Sequence, residues 1–423
     1  MSKVVPILGL CLLLPACSDE PPASPDARGS DLRAERHVFR ALWVLCEGSA
    51  RTLEDPARID RLIEHAQQLE VTDLFVQVYR GGRSWYDASL ADPAPYREIV
   101  ERTGGDPLRR LLEAAHAEGL RVHAWVNVLS LNANRSAPIL TDLGREATLV
   151  DRRGRTLLDY PGGEVPAPDR AWYRMGTPGL YLDPGAPGVR ERLVETFSEL
   201  VDRYPELDGL HLDYIRYPGV LPFAPGSRFG VGLDFGYGAA SRKRFRAETG
   251  LAGPYRDPSK PASSPLVHTN AWDEWRRAQV TDLVQEIRVA VLANHVDLLL
   301  SAAVVPYADR AYLSLAQDWR AWVEDGLLDF AVLMIYTRDD RLFRYQVESF
   351  ARSAEAERLW MGSGSWLFAG QPERAVAQLA TIRAAGSTGE AIFSYDALLE
   401  SDALMSALVQ PVTGSSLDAG RAP

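Results

Sequence analysis

The stretch Gly209-Leu-His-Leu-Asp-Tyr-Ile-Arg-Tyr-Pro218 gathers residue types from which acid–base chemistry is made. Side chains alternate along a strand, so His211 and Asp213 share one face while Leu210 and Leu212 share the other. Pro218 cannot donate to a ladder and ends it, which crowds Tyr214, Arg216 and Tyr217 at the strand exit. A carboxylate at a strand's C-terminal end, ringed by Arg and Tyr, is well placed for catalysis. Hydrolysis of a glycosidic bond uses two carboxyl groups, about 5–5.5 Å apart for retention and about 6.5–9.5 Å apart for inversion. Asp213 is the first candidate, and Glu47 and Asp339, each near the end of a predicted strand, are candidates for the second.

Eight apolar runs would position these groups. They are Arg40–Glu47, Asp73–Tyr79, Arg121–Asn127, the stretch at Gly209, Val296–Val304, Asp329–Tyr336, Arg358–Gly364 and Gly389–Asp396. Helical patterns separate them, among them Pro56–Leu69, Pro107–Gly119, Val189–Tyr204, Ala271–Ala293 and Glu373–Ala385. Alternating strands and helices predict parallel βαβ units, and eight of them predict an α/β fold, a (β/α)8 TIM-like barrel, ahead of a doubly wound open sheet. Two connections are long and rich in aromatics. One follows the third strand, from about Leu129 to Tyr181, with Tyr160, Trp172, Tyr173 and Tyr181. The other follows the fourth, from about Gly219 to Asn270, with Phe223, Phe229, Phe235, Tyr237 and Tyr255. Both would lie on the catalytic face of a barrel, where long loops are usually functional.

Inward-facing residues near the strand ends form the expected rim. Alternation nominates Gln77 and Tyr79, with Arg80 next; His123, Trp125 and Asn127; His211 with Tyr214 and Arg216; Tyr336; and Trp366. Aromatic faces stack on sugars, while amides, Arg and carboxylates read hydroxyls, so these are the expected substrate contacts. His123 and His211 also fit as satisfied histidines of a barrel interior.

Composition narrows the class. The chain has 423 residues and a diffuse net charge of −11 with no basic stripe, which argues against nucleic acid as a partner. There is no Gly-rich phosphate loop, no Gly-x-Ser-x-Gly elbow and no Cys/His spacing for zinc, so no cofactor and no metal are expected. A metal-dependent hydrolase, such as a deacetylase using Asp213 and His211, is the remaining minor reading. Lys3 followed by the apolar run Ile7–Leu14 reads as a signal peptide, too short to span a bilayer permanently. Leu14-Pro-Ala-Cys17 resembles a bacterial lipobox, which implies lipidation at Cys17 and membrane attachment through an N-terminal lipid anchor. Ser18 after the Cys leans towards the outer membrane of the cell envelope. The expected organisation is a signal peptide over 1–17, a flexible tether over 18–35, a barrel over 36–410 and a polar tail over 411–423.

The ordered set Arg40-Ala-Leu-Trp-Val, Phe75-Val-Gln-Val-Tyr79, His123-Ala-Trp-Val-Asn127, Leu182-Asp-Pro-Gly185 and the Asp213-Tyr-x-x-Tyr-Pro ending resembles the glycosyl hydrolase-like family 10 barrels. The resemblance spans nearly the whole chain after residue 35. It implies a TIM-like barrel acting on a polysaccharide, with bacterial cell-wall (peptidoglycan) glycan as one expected substrate. A more distant similarity to α-galactosidase-type barrels implies Asp213 as nucleophile and Asp339 as acid, with Glu47 as the alternative acid. A non-catalytic glycan-binding lipoprotein on a degenerate barrel is the rival expectation.

Overall fold

The computed structural model describes residues 38–223 and 233–409. The expected signal peptide, Cys17, the tether and the tail lie outside the described residues, as does Phe229. Among the described residues no helix is long and apolar enough to cross a membrane.

Eight parallel strands close into a barrel: β1 Phe39–Val44, β2 Asp73–Arg80, β3 Arg121–Asn127, β4 Gly209–Asp213, β5 Leu299–Val304, β6 Phe330–Ile335, β7 Leu359–Gly364 and β8 Gly389–Phe393. Closure is direct, because β1 pairs in parallel with both β2 and β8. The outer ring carries α1 Pro56–Gln68, α2 Pro107–Ala117, α3 Val189–Arg203, α4 Thr269–Leu292, α5 Trp319–Glu324, α6 Asp340–Ala351, α7 Pro372–Ala384 and α8 Asp402–Val409. The expected barrel is therefore the observed one. Its predicted strands run long by three residues or more at four ends: β1 stops at Val44, β4 at Asp213 rather than at Pro218, β8 at Phe393, and β5 begins only at Leu299.

Alternation divides the apolar side chains into two cores. Leu42, Val76, Val126, Leu210, Leu212 and Leu333 face the helices. Ala41, Trp43, Phe75, Trp125, Phe330 and Trp360 fill the barrel interior. Phe330 stacks on Trp360 at 4.1 Å, and Phe75 stacks on His211 at 4.1 Å with the rings nearly parallel. Space for these rings comes from missing side chains. A Cβ at Gly389 would lie 2.3 Å from Trp360, and one at Gly209 would lie 2.0 Å from His123 Nδ1.

The two long connections are stitched to each other. Tyr173–Met175 pairs antiparallel with Val220–Pro222. Gly236 and Tyr237 both donate backbone N–H groups to the Val150 carbonyl. Asp183, buried in the first connection, accepts the Ser241 hydroxyl at 2.7 Å from the helix Ala239–Thr249 of the second. Most of the loop aromatics serve this stitching: Tyr160, Tyr181, Phe235, Tyr237 and Tyr255 are buried, whereas Trp172 and Phe223 are exposed.

Candidate active site

Asp213 is the last residue of β4, in register with Asn127 at the end of β3. Leu212 beside it faces the helices, so the pleat turns Asp213 inward, 7 % exposed. The Trp125 indole donates Nε1–H to Asp213 Oδ2 at 3.2 Å, and the Tyr214 backbone N–H donates to Oδ1 at 2.6 Å. Tyr214 has φ of 52°, a left-handed conformation that turns the chain off the strand while aiming its N–H back at the carboxylate. Burial raises the Asp213 pKa, working against the Arg216 charge and the two hydrogen bonds, which favour the anion.

An aromatic wall rises beside it. Tyr336, just past β6, meets Trp366 edge-on at 4.8 Å and lies 5.6 Å from Phe393. Trp366 and Phe393 are 5.4 Å apart, and Phe393 also approaches Trp125 at 6.2 Å. The Tyr336 phenol is pushed well above its usual range by burial, and then by the charges of Asp213 and Tyr214. Its hydroxyl is buried without a partner among the described residues. Trp366 keeps 40 % of its surface exposed at the outer edge of this wall.

On the other side, Cys46 donates Sγ–H to Gln77 Oε1 at 3.2 Å, and Gln77 Nε2 donates to Asn127 Oδ1 at 3.1 Å. These bonds fix the two amides beside the Asp213 strand. The Arg216 guanidinium lies over the Tyr214 ring at 5.0 Å, and Tyr214 packs against Tyr181 at 6.2 Å. The charge of Arg80 reaches Tyr214 as well. Gln77, Arg80, Trp125, Asn127, Asp213, Tyr214, Arg216, Tyr336 and Trp366 thus share one rim. Phe393 joins them. The apolar run of the eighth strand extends in the sequence to Asp396, which would carry Tyr395 and Asp396 to the rim. With the strand ending at Phe393, Tyr395 instead bonds to His65, and Asp396 accepts the Ala50 N–H.

Five nominated residues lie elsewhere or are otherwise engaged. Tyr79 faces outward onto Phe197 of α3 at 5.4 Å. A β-bulge after Gln77 shifts the register so that Tyr79 pairs with outward-facing Val126, reversing the alternation the sequence implies and bringing Arg80 to the rim. His123 is enclosed within the barrel, its Nε2 2.9 Å from Asp73 Oδ1. His211 lies one layer above, accepting the Trp43 indole N–H at 3.2 Å on Nε2, which leaves Nδ1 to donate to Ser301 at 2.9 Å. Burial and the neighbouring His123 hold His211 neutral, well below its usual pKa. With both ring nitrogens engaged, it is no ligand for a metal shared with Asp213. Among the described residues no three His, Cys, Asp or Glu side chains are grouped to hold a metal ion. Asp339 is exposed and caps α6, its Oδ1 accepting the backbone N–H groups of Arg341 and Leu342 at 3.0 and 3.1 Å. Glu47 is exposed and clasped by Arg80, at 3.3 Å, and by Arg83.

Comparisons with known proteins agree with this architecture. The sequence profile of the family described as "Glycosyl hydrolase-like 10" matches residues 38–383. Glycosyl hydrolase DigH of Escherichia coli (strain K12) is 24 % identical over 373 residues, covering 78 % of this chain and 74 % of that protein. Glycosyl hydrolase YngK of Bacillus subtilis (strain 168) is 24 % identical over 293 residues, covering 65 % of this chain and 48 % of its own length. Among solved structures, the PgaB (BpsB) glycoside hydrolase domain from Bordetella bronchiseptica superposes with a TM-score of 0.58 at 14 % identity, covering 88 % of this chain and 99 % of that one. The β-amylase catalytic domain from Paenibacillus polymyxa gives 0.56 at 14 % identity, covering 88 % and 97 %. With a profile match that runs from β1 into α7 and a closed (β/α)8 fold, the chain belongs to the glycosyl hydrolase-like 10 family.

Proposed function

We propose that the protein is a lipid-anchored glycoside hydrolase of the bacterial cell envelope, attached through Cys17, by preference to the outer membrane, and cleaving a polysaccharide such as cell-wall glycan strands. The observation that carries the reading is Asp213, a carboxyl group buried at the end of β4, oriented by two N–H donors and faced by an aromatic wall. Burial favours its protonated form, which suits a group that gives a proton to the departing glycosidic oxygen. The nucleophile role implied by the α-galactosidase resemblance needs the ionised form instead. Trp366 and Tyr336 offer ring faces and edges for a sugar, and Gln77 and Asn127 offer amides for its hydroxyls.

The test is product analysis by mass spectrometry, using protein that lacks the residues before Asp31. Peptidoglycan, peptide-free cell-wall glycan and other polysaccharides are incubated with this protein and with its Asp213→Asn variant. Shorter glycans from the unmodified protein alone are expected. Equal cleavage by the variant would remove Asp213 from the chemistry. The engagement of Glu47 with two arginines and of Asp339 with a helix terminus favours a second reading, a glycan-binding protein without turnover. Binding by both proteins with cleavage by neither would select it.

A further inference from the structure

Four arginines of the described chain are buried: Arg40, Arg190, Arg216 and Arg276. Three of them have carboxylate partners. Arg40 pairs with Glu390 at 2.7 Å, Arg190 with Asp282 at 2.7 Å and Arg276 with Asp234 at 3.1 Å. Arg216 differs. It is 7 % exposed, has no carboxylate within ion-pair distance among the described residues, and makes one hydrogen bond, from Nη1 to the Tyr217 carbonyl at 3.3 Å. Its Nε–H is buried without a partner among the described residues. The internal segment outside the description, 224–232, contains no Asp or Glu. A guanidinium carries five N–H donors and is costly to bury without an acceptor.

The location makes this arrangement useful. Arg216 sits over Tyr214, close enough to Asp213 for its charge to favour the anion, yet not paired with it. The Tyr336 hydroxyl, buried without a partner among the described residues, feels the charge of the same carboxylate, and Arg80 adds positive charge near Tyr214. A planar fork of donors matches a carboxylate in two-point fashion.

We propose that Arg216 reads a free carboxylate on a sugar bound beside Asp213, so that the site selects acidic glycans over uncharged ones. The proposal rests on the glycan-cleaving reading above and names the substrate class within it. The acid could be a lactyl ether, as in peptide-free cell-wall glycan, or a ring carboxylate, as in a uronic-acid glycan.

The experiment compares paired substrates. Peptide-free cell-wall glycan and oligouronates are each tested against the same material with its carboxyl groups converted to methylamides, measuring kcat/KM and binding by calorimetry. The unmodified protein should favour one acidic member over its amide by about ten-fold or more, the scale of a charge-assisted hydrogen bond. Whichever pair shows the preference identifies the source of the carboxylate. In Arg216→Gln the ratio should fall to within about two-fold of unity, with Arg216→Lys between, because an ammonium keeps the charge without the fork. Any effect of these variants on Asp213 itself acts on both members of a pair and cancels in the ratio. Absence of a preference in the unmodified protein, or a ratio unchanged in Arg216→Gln while both rates fall, overturns the proposal and leaves Arg216 as a positioning residue. If no glycan is cleaved, the glycosidase reading fails separately. The binding ratio then decides on Arg216: a preference lost in Arg216→Gln sustains it, and equal binding or none overturns it.

Discussion

Replacing Asp183 with Asn should change how stability depends on pH, by an amount the structure supplies. Asp183 is 1 % exposed, with Oδ1 accepting the Gly185 N–H at 2.9 Å and Oδ2 accepting the Ser241 hydroxyl at 2.7 Å. Burial outweighs these bonds and lifts its pKa from 3.8 to about 6. The unfolded chain therefore releases this proton near pH 4 and the folded chain near pH 6. Between those values the folded state binds more protons, so stability falls as pH rises, fully present below pH 4 and lost above pH 6. About two pKa units at 1.36 kcal/mol each set a ceiling of about 3 kcal/mol. Asn keeps the shape and the acceptor for Gly185, turns its amide N–H towards the Ser241 oxygen, and has no charge to bury. Urea unfolding of both proteins at pH 4, 5, 6 and 7 should show Asp183→Asn gaining up to about 3 kcal/mol on the parent across the series. Taking the difference cancels groups common to the two. A difference constant to within about 0.5 kcal/mol would refute the reasoning, because Asp183 would then titrate alike folded and unfolded.

Trp125→Phe removes a hydrogen bond that favours ionised Asp213, so the Asp213 pKa should rise further. With Asp213 as the proton donor, the alkaline limb of kcat/KM against pH should move upward, and a limb that stays or moves down would contradict that role. Asp339→Ala should cost about 1 kcal/mol of stability through loss of the α6 cap while glycan cleavage continues. Cleavage abolished in a folded Asp339→Ala protein would restore Asp339 as the acid.

Why some site residues were legible and others were not follows from the range of the interactions that place them. Asp213, Trp125, Asn127 and Gln77 each sit on regular strand, so counting by twos predicts their direction. Tyr79 fails the same count because one bulge reverses the pleat, and a bulge is a property of the pairing between β2 and β3 rather than of either strand alone. Phe393 was missed because Tyr395 and Asp396 extend an apolar run that the backbone leaves for a short helix, Tyr395–Leu399. Asp339 carries its own explanation in the sequence, since an Asp before a helical run is a common cap.

By itself, the sequence determined the barrel, the order of its strands and Asp213 as the carboxylate at its rim, because apolar periodicity acts over a few residues. Tertiary structure alone decided what that carboxylate keeps for company. Glu47 met Arg80 and Arg83, His211 met Trp43 and Ser301, and Arg216 was left without a carboxylate partner among the described residues. Those pairings join residues tens to hundreds of positions apart, and burial, which sets their charge states, exists only once the barrel has closed.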